Sequence, residues 1–151
     1  MLAVTGDLSV EAGVFELAGG RIEAEDLDFE GMTWDVTLTP GQEAEGYRIV
    51  AGDAAVITDG VLVVRLADGF QPALDTAFTL LHSGTDIIGD AGGTWFGYQD
   101  GDEVVGTDGS LFRLDLVPGS ESLQLTVIPE PGALTLLAMA GLLGLAVRRR
   151  R

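Results

Sequence analysis

A long apolar run near the end of the sequence constrains the fold more than any other feature. The run, Ala133–Val147 or ALTLLAMAGLLGLAV, carries no charge and has Thr135 as its single polar residue. A helix packed on a protein core keeps a polar face with a period of 3.6 residues. Because this segment has no such face, hydrocarbon is its natural solvent. At about 1.5 Å per residue it reaches roughly 22 Å, so we predict one short C-terminal transmembrane helix over 133–147.

Charged and conformationally restricted residues flank this run. It is followed by four consecutive arginines: Arg148, Arg149, Arg150 and Arg151. Since basic residues beside a transmembrane helix stay in the cytoplasm, the rest of the chain is predicted to lie outside. Pro129, Glu130 and Pro131 precede the run. Proline lacks the backbone donor and has a fixed φ, so this tripeptide cannot join the interior of a strand or helix and is expected to stay extended and accessible to a protease.

The order of tripeptide, apolar run and arginine cluster over Val127–Arg151 closely resembles the PEP-CTERM sorting signal of Gram-negative bacteria. The resemblance implies cleavage by exosortase, a multi-pass membrane protease, with recognition at Pro129, Glu130 and Pro131. It implies a membrane stop at the four arginines 148–151, and transit through the inner membrane to the cell surface or extracellular matrix. A similar C-terminal segment is described on ice-binding proteins. The alternative is an ordinary membrane anchor that contains the same tripeptide.

The residues before the tail, 1–128, are strongly acidic. The whole chain has 24 Asp and Glu against 8 basic residues, all of them arginine. Glu130 and four arginines belong to the tail, so the body keeps 24 − 1 = 23 acids and 8 − 4 = 4 arginines, a net charge of −19. Such a field repels phosphate backbones, which argues against nucleic-acid binding. With no cysteine, disulfides, thiolate zinc sites and cysteine nucleophiles are excluded.

The first twenty residues, MLAVTGDLSVEAGVFELAGG, do not resemble an export signal. Such a signal has a basic start and an apolar run of about 7 to 15 residues. Here no basic residue precedes Arg21, and Asp7 and Glu11 interrupt the apolar residues. We therefore expect the chain to be the C-terminal part of a longer exported protein or to have a misassigned start. The alternative is insertion by the C-terminal tail alone.

Alternation of apolar and polar residues predicts an all-β body. In Thr33–Thr39, Trp34, Val36 and Leu38 share one face of a strand. The same pattern predicts three further core faces: Leu62, Val64 and Leu66; Phe112, Leu114 and Leu116; and Leu123, Leu125 and Val127. Six Gly-containing pairs mark turns between strands: Pro40-Gly41, Asp59-Gly60, Asp68-Gly69, Asp100-Gly101, Asp108-Gly109 and Pro118-Gly119.

A weak internal repeat suggests how the strands are arranged. Gly6–Val10 matches Gly52–Val56 at an offset of 46, and Gly13-Val14 matches Gly60-Val61 at an offset of 47. Repeated strand–turn–strand units fit a solenoid, and they also fit two hairpins of a β-sandwich. Gly-Asp turns and strands such as 60–66 and 77–81 loosely resemble the autotransporter-associated β-strand repeats of bacterial surface proteins. That resemblance implies a right-handed β-helix, with a β-sandwich as the alternative.

Few residues of the body suggest chemistry. Asp100, Asp102 and Asp108 offer hard oxygen ligands and are the calcium candidates, although their spacing departs from an EF-hand. Ordinary solvated turns are the simpler interpretation. The single histidine, His82, follows a strand pattern and reads as a surface strand residue. The aromatic cluster at 95–98, Trp-Phe-Gly-Tyr, suits core packing better than a carbohydrate platform.

The sequence as a whole predicts an exported, acidic, all-β surface or matrix protein with no enzymatic activity. Its regions are the passenger body 1–128 and the sorting tail 129–151. The expected partners are an exosortase-type protease and the bilayer, with exopolysaccharide as a further candidate. No cofactor is expected apart from the candidate calcium. The alternative is a secreted carbohydrate-active enzyme or carbohydrate-binding module with the same tail.

Overall fold

The described part of the chain consists of β-strands joined by turns and loops. The computed structural model describes residues 2–3, 6–17, 21–42, 49–117 and 121–129. Its strands are β1 Leu2–Ala3, β2 Leu8–Leu17, β3 Ile22–Ala24, β4 Leu27–Leu38, β5 Ile49–Ala51, β6 Ala55–Thr58, β7 Val61–Leu66, β8 Ala77–Ser83, β9 Ile87–Ile88, β10 Glu103–Val105, β11 Leu111–Val117 and β12 Ser122–Val127. The predicted all-β class is confirmed.

The predicted transmembrane helix, 133–147, lies outside the described residues. Within those residues, no helix is both long and apolar enough to cross a bilayer.

The strands form two sheets that the chain visits alternately. Sheet A has the order β1-β3-β5-β8-β12-β11-β10, and sheet B has the order β2-β4-β6-β9 with β7 also on β4. We call each passage through both sheets a rung: β1–β2, β3–β4, β5–β7 and β8–β9. Neighbouring rungs pair in parallel in both sheets. Four successive rungs therefore lie side by side.

Parallel pairing in register places similar apolar residues above one another between the sheets. Every member of the following columns is buried. The columns are Ile22, Ile49 and Leu81; Leu27, Ala55 and Ile87; Phe29 and Ile57; Trp34 and Leu62; and Val36 and Val64. The predicted core faces agree with this arrangement except that Leu66 and Leu116 are only half-buried. The alternating pattern had therefore identified the core side of these strands.

A hydrogen-bonded corner joins sheet A to sheet B in successive rungs. Four backbone bonds of 2.8 to 3.1 Å link the corners: Gly52 N to Ala24 O, Asp53 N to Glu25 O, Gly84 N to Ala51 O, and Thr85 N to Asp53 O. The hydroxyl of buried Ser83 lies within hydrogen-bonding distance of the carbonyl oxygens of Asp53 and Asp86 and shares its single proton between them. A Cβ on Gly84 would overlap the carbonyl oxygen of Gly52. Only glycine fits at position 84 while the rungs keep this spacing.

A second bend recurs within sheet B. Ala12, Gly31 and Asp59 have φ of 56°, 59° and 50°, in the left-handed region that non-glycine residues seldom occupy. They are equivalent positions, because the residues before them pair from rung to rung as Glu11, Glu30 and Thr58. A left-handed residue repeated at one place in three rungs marks a bend that the stacked strands share.

The core is covered at the end formed by the later rungs. In sheet A, β12 and β11 continue from β8 as antiparallel strands. Beside sheet B, the Asp90 carboxylate accepts the Asp59 N–H at 3.2 Å, and Phe96 packs on Trp34 with ring centroids 5.6 Å apart. Trp95 and Phe96 are both buried. The aromatic cluster therefore packs in the core, as the sequence favoured.

The weak sequence repeat corresponds to every second rung. Val14 and Val61 both pair with Thr33, so their offset of 47 is the true structural spacing. The offset of 46 is one residue too small. Val10 pairs with Phe29, and Phe29 pairs with Ile57, so the structural equivalent of Val10 is Ile57 and not Val56. The intervening rung has no Gly-Asp turn at its corner, which is why the sequence comparison passed over it.

Trp34 is the central aromatic residue of the core, and its replacement should be costly. It is fully buried and contacts Phe15, Phe29 and Phe96 at centroid distances of 5.6 to 6.5 Å. We expect Trp34→Ala to lower the unfolding free energy by about 3 to 5 kcal/mol. Trp34→Phe is the matched control. It also removes an indole N–H that has no partner among the described residues, so its cost should stay below about 1.5 kcal/mol. Denaturant unfolding of both variants checks this, and equal losses would contradict it.

Candidate functional site at the junction of body and tail

The folded body ends abruptly where the tail begins. The last strand, β12, lies inside sheet A between β8 and β11. Beyond the strand ladder, Val127 N donates to Thr76 O at 2.9 Å and Ile128 N donates to Leu111 O at 3.0 Å. Asp75 N in turn donates to Val127 O at 3.0 Å. Ile128 is therefore the last described residue whose amide is bonded to the body.

Pro129 is the first residue of the predicted processing motif and the last one described. It is half-buried, and as a proline it has no N–H with which to extend the hydrogen bonding. The structure thus places the start of the motif immediately after the bonded chain, with no spacer between them.

The other predicted tail residues lie outside the described part of the chain, so the structure does not test their roles. They are the rest of the processing motif, Glu130 and Pro131, and the membrane stop, Arg148, Arg149, Arg150 and Arg151. The membrane-stop role of the four arginines stays a prediction.

A surface groove of about 640 Å³ lies beside the exit point of the chain, and Ile128 and Pro129 are among the residues that line it. Leu74 in its wall is 59% exposed, and Phe70 stacks edge-on against buried Phe78 at 6.2 Å. Sequence reasoning missed this groove because the loop 67–76, which helps to form its walls, shows no periodic pattern of apolar residues. The apolar side chains of its lining include Leu66, Phe70, Leu74, Leu111 and Ile128.

The three calcium candidates are each engaged in local hydrogen bonds. Asp100 accepts the Leu116 N–H at 2.7 Å, and Asp102 accepts the Gln99 N–H at 2.8 Å. Asp108 accepts both the N–H and the hydroxyl of Ser110. In the part of the chain that the structure describes, no group of three or more His, Cys, Asp or Glu is placed to hold a metal. Calcium binding at this loop stays a prediction.

Ion pairs engage the arginines of the described body. Arg21 contacts Glu23 at 2.8 Å, Arg65 contacts Asp35 at 2.9 Å, and Arg113 contacts Asp115 at 2.6 Å. Arg65 uses Nε and Nη2 together, and its hydrogen bonds with the Asp35 carboxylate raise its pKa above the ordinary value. The same kind of contact with Asp115 raises the pKa of Arg113. These cations are positioned for structural pairing.

His82 lies on β8 and is half-buried. It pairs across the sheet with Ser122, and its Nδ1 lies 3.1 Å from the Ser122 hydroxyl. The serine is buried, so the contact satisfies a polar side chain inside the sheet.

Comparison with known proteins identifies the junction and tail. Residues 127–151 match the PEP-CTERM protein-sorting motif, which begins within β12 and includes Ile128 and Pro129. No curated protein and no solved structure gives a significant match. PEP-CTERM signals are recognised by exosortase, a membrane protein, and direct export to the cell surface or the extracellular space. The chain therefore carries a PEP-CTERM protein-sorting motif over residues 127–151.

Proposed function

We propose that residues 1–128 form a non-enzymatic structural body of the bacterial surface or extracellular matrix, and that exosortase cleavage within 129–131 frees it from the membrane. The observation that carries this proposal is the position of Ile128. Its amide is bonded to Leu111 O, so the cleavable tripeptide directly follows the last bonded residue of the sheets. Cleavage there removes the anchor and leaves the sheets intact.

The short distance between the body and the membrane supports cleavage at the non-cytoplasmic face of the inner membrane. Only residues 129–132 separate Ile128 from the apolar run that starts at Ala133. Extended chain spans at most about 3.5 Å per residue, so the body lies within roughly 18 Å of the bilayer. Two of these four residues are prolines, which resist incorporation into a strand or helix. The tripeptide is thereby confined to the place where a membrane-embedded protease works.

We further propose that the body is the end of a right-handed β-helix, in preference to a β-sandwich. Parallel pairing of neighbouring rungs in both sheets supports this, as do the hydrogen-bonded corners and the bend repeated at Ala12, Gly31 and Asp59. Sandwiches are built mostly from antiparallel strands. Regular stacking of this kind suits a structural or spacer role, because stability comes from contacts between neighbouring rungs.

Three features support a body without catalytic activity. Polysaccharide-cleaving β-helix enzymes need a cation free to stabilise a sugar anion, and the three described arginines are ion-paired. The aromatic residues considered for carbohydrate stacking, Trp95 and Phe96, are buried in the core. The calcium candidate Asp108 bonds to its neighbour Ser110. Ion pairing, core packing and turn formation therefore account for these side chains without a catalytic role.

Processing can be tested by intact-mass measurement of the native product. We express the full chain in a host with exosortase and in a matched strain without it. With exosortase, we expect a released product whose C-terminus lies within 129–131. Without it, the chain should remain in the membrane fraction and retain Ala133–Arg151. A native product that still carries the tail in the exosortase host would show that the tail is only an anchor.

A further inference from the structure

Hydrogen bonds at the end of the body limit how a protease can read the chain before the cut. Ile128 N donates to Leu111 O, and Val127 N donates to Thr76 O. Neither residue can enter a protease cleft as extended chain unless these bonds break. With cleavage inside 129–131, at most three residues separate Ile128 from the cut. Recognition on this side of the cut therefore falls largely on the folded surface beside the exit point of the chain.

The folded surface beside the exit point is the groove of about 640 Å³. Ile128 and Pro129 line the groove, and both also belong to the sorting motif matched at 127–151. The recognised motif and the groove therefore share residues. The other lining residues come from within the stretches 66–74 and 108–111. The groove is thus a feature of the end of the body that adjoins the tail.

The groove combines apolar and acidic side chains. Leu74 is 59% exposed, and half-buried Phe70 is held in place by its edge-on contact with buried Phe78. Asp68 and Asp108 are exposed acids of the lining. The three described arginines pair with other acids, so they do not neutralise these two carboxylates. The groove therefore offers an apolar surface beside uncompensated negative charge.

This charge favours a protein over lipid as the occupant of the groove. The body carries a net charge of −19, from 23 acids and 4 arginines. A membrane surface that contains anionic lipids repels such a body. Asp68 and Asp108 place part of that repulsion at the groove itself. A protein surface can present an apolar side chain without a layer of negative headgroups.

The position of the cut determines which protein lies closest to the groove. Extended chain spans about 3.5 Å per residue, so a cut within 129–131 lies at most about 10 Å from Ile128. Even a small protein domain is about 30 Å across. A protease that encloses the tripeptide must therefore meet the body beside Pro129, where the groove lies.

We propose that this groove is a docking site for exosortase, which inserts an apolar side chain from its non-cytoplasmic surface beside Leu74 and Phe70. The inference rests on the proposed function, because it takes exosortase to be the protease that cuts within 129–131. The folded body then forms part of the substrate together with the tail. Docking holds the tripeptide near the protease and so raises its effective concentration there.

Initial rates of cleavage of the full chain by exosortase-containing membranes test this docking site. L74E places a carboxylate in the groove. V61E is the matched control, because Val61 is 54% exposed and does not line the groove. Both positions are exposed, so the melting temperature of each variant should change by no more than about 2 °C. Below saturation, we expect L74E to be cut about tenfold more slowly, as for loss of an interface anchor, and V61E to be cut at the native rate. Equal rates for the two variants would overturn the proposal.

Photo-crosslinking identifies the occupant of the groove directly. A photoreactive phenylalanine analogue replaces Leu74 in the full chain, in membranes that contain an inactive exosortase. We expect a covalent adduct whose mass is the sum of the chain and exosortase. The same analogue at position 61 should give no such adduct. Adducts with lipid alone, or with the tail of the same chain alone, would overturn the proposal.

Cleavage of the native chain separates the docking site from the proposed function. If exosortase does not cut the native chain within 129–131, the proposed function itself is wrong. If the native chain is cut there and L74E is cut equally fast, the docking site alone is wrong. Intact masses of the products, measured together with the rates, distinguish these two results.

Discussion

A chain with alanine at positions 129, 130 and 131 is expected to accumulate in the membrane of an exosortase host. Release of the body should fall by at least about tenfold, which requires the loss of only about 1.4 kcal/mol of transition-state binding. The reason is that the tripeptide supplies both the recognised side chains and the two prolines that keep the segment extended. Membrane insertion should be unaffected, since the apolar run 133–147 is unchanged. Quantitative blotting of the released and membrane fractions, with intact masses, measures the effect.

The matched control keeps the tripeptide and replaces the four arginines with neutral residues, at Arg148, Arg149, Arg150 and Arg151. This change removes the predicted topological stop and should alter the orientation or retention of the tail. Protease protection in membrane vesicles distinguishes misorientation from a failure of cleavage. Release at the normal level from the alanine variant would show that the tripeptide is not the processing motif.

Among the described glycines, Gly84 is expected to tolerate substitution by alanine least. The added Cβ would overlap the carbonyl oxygen of Gly52 on the neighbouring rung. Relief of this overlap requires the corners to separate, which weakens the bond from Gly84 N to Ala51 O and the contacts of buried Ser83. We expect a loss of about 3 kcal/mol or more, corresponding to a fall in melting temperature of about 10 °C or more.

Gly92→Ala is the control for this substitution. A Cβ there would have a nearest neighbour at 4.0 Å, the methyl group of Thr94, and the backbone has no positive φ. The melting temperature should change by no more than about 2 °C, corresponding to about 0.5 kcal/mol. Thermal unfolding followed by circular dichroism compares the two variants. Similar melting temperatures would show that the corners of the rungs separate easily.

Local patterns in the sequence were enough to predict part of the fold and the motif. The alternation at Trp34, Val36 and Leu38 predicted a strand with one buried face, and all three residues are buried. The order of tripeptide, apolar run and arginines predicted the sorting motif, which a family match supports at 127–151. Both are signals contained in short stretches of chain, so no knowledge of distant contacts was needed.

Features that depend on contacts between rungs could not be predicted. The intolerance of position 84 arises from Gly52, 84 − 52 = 32 residues earlier, and nothing near Gly84 in the sequence indicates it. The groove beside Pro129 joins Leu74 to Leu111, which the chain brings together only in three dimensions. The register error in the repeat has the same origin, since Gly-Asp pairs mark turns but do not fix which residues stack.

The bonded position of Ile128 also bears on how long the mature protein persists outside the cell. Carboxypeptidases digest chains inward from a free end and need loose backbone to enter their clefts. After cleavage within 129–131, the new end is at most three residues beyond Ile128, whose amide is held by Leu111, and Val127 is bonded to both Asp75 and Thr76. Trimming should therefore stop almost as soon as it starts. Hydrogen bonds at the junction would thus protect the end of the released body from exopeptidases.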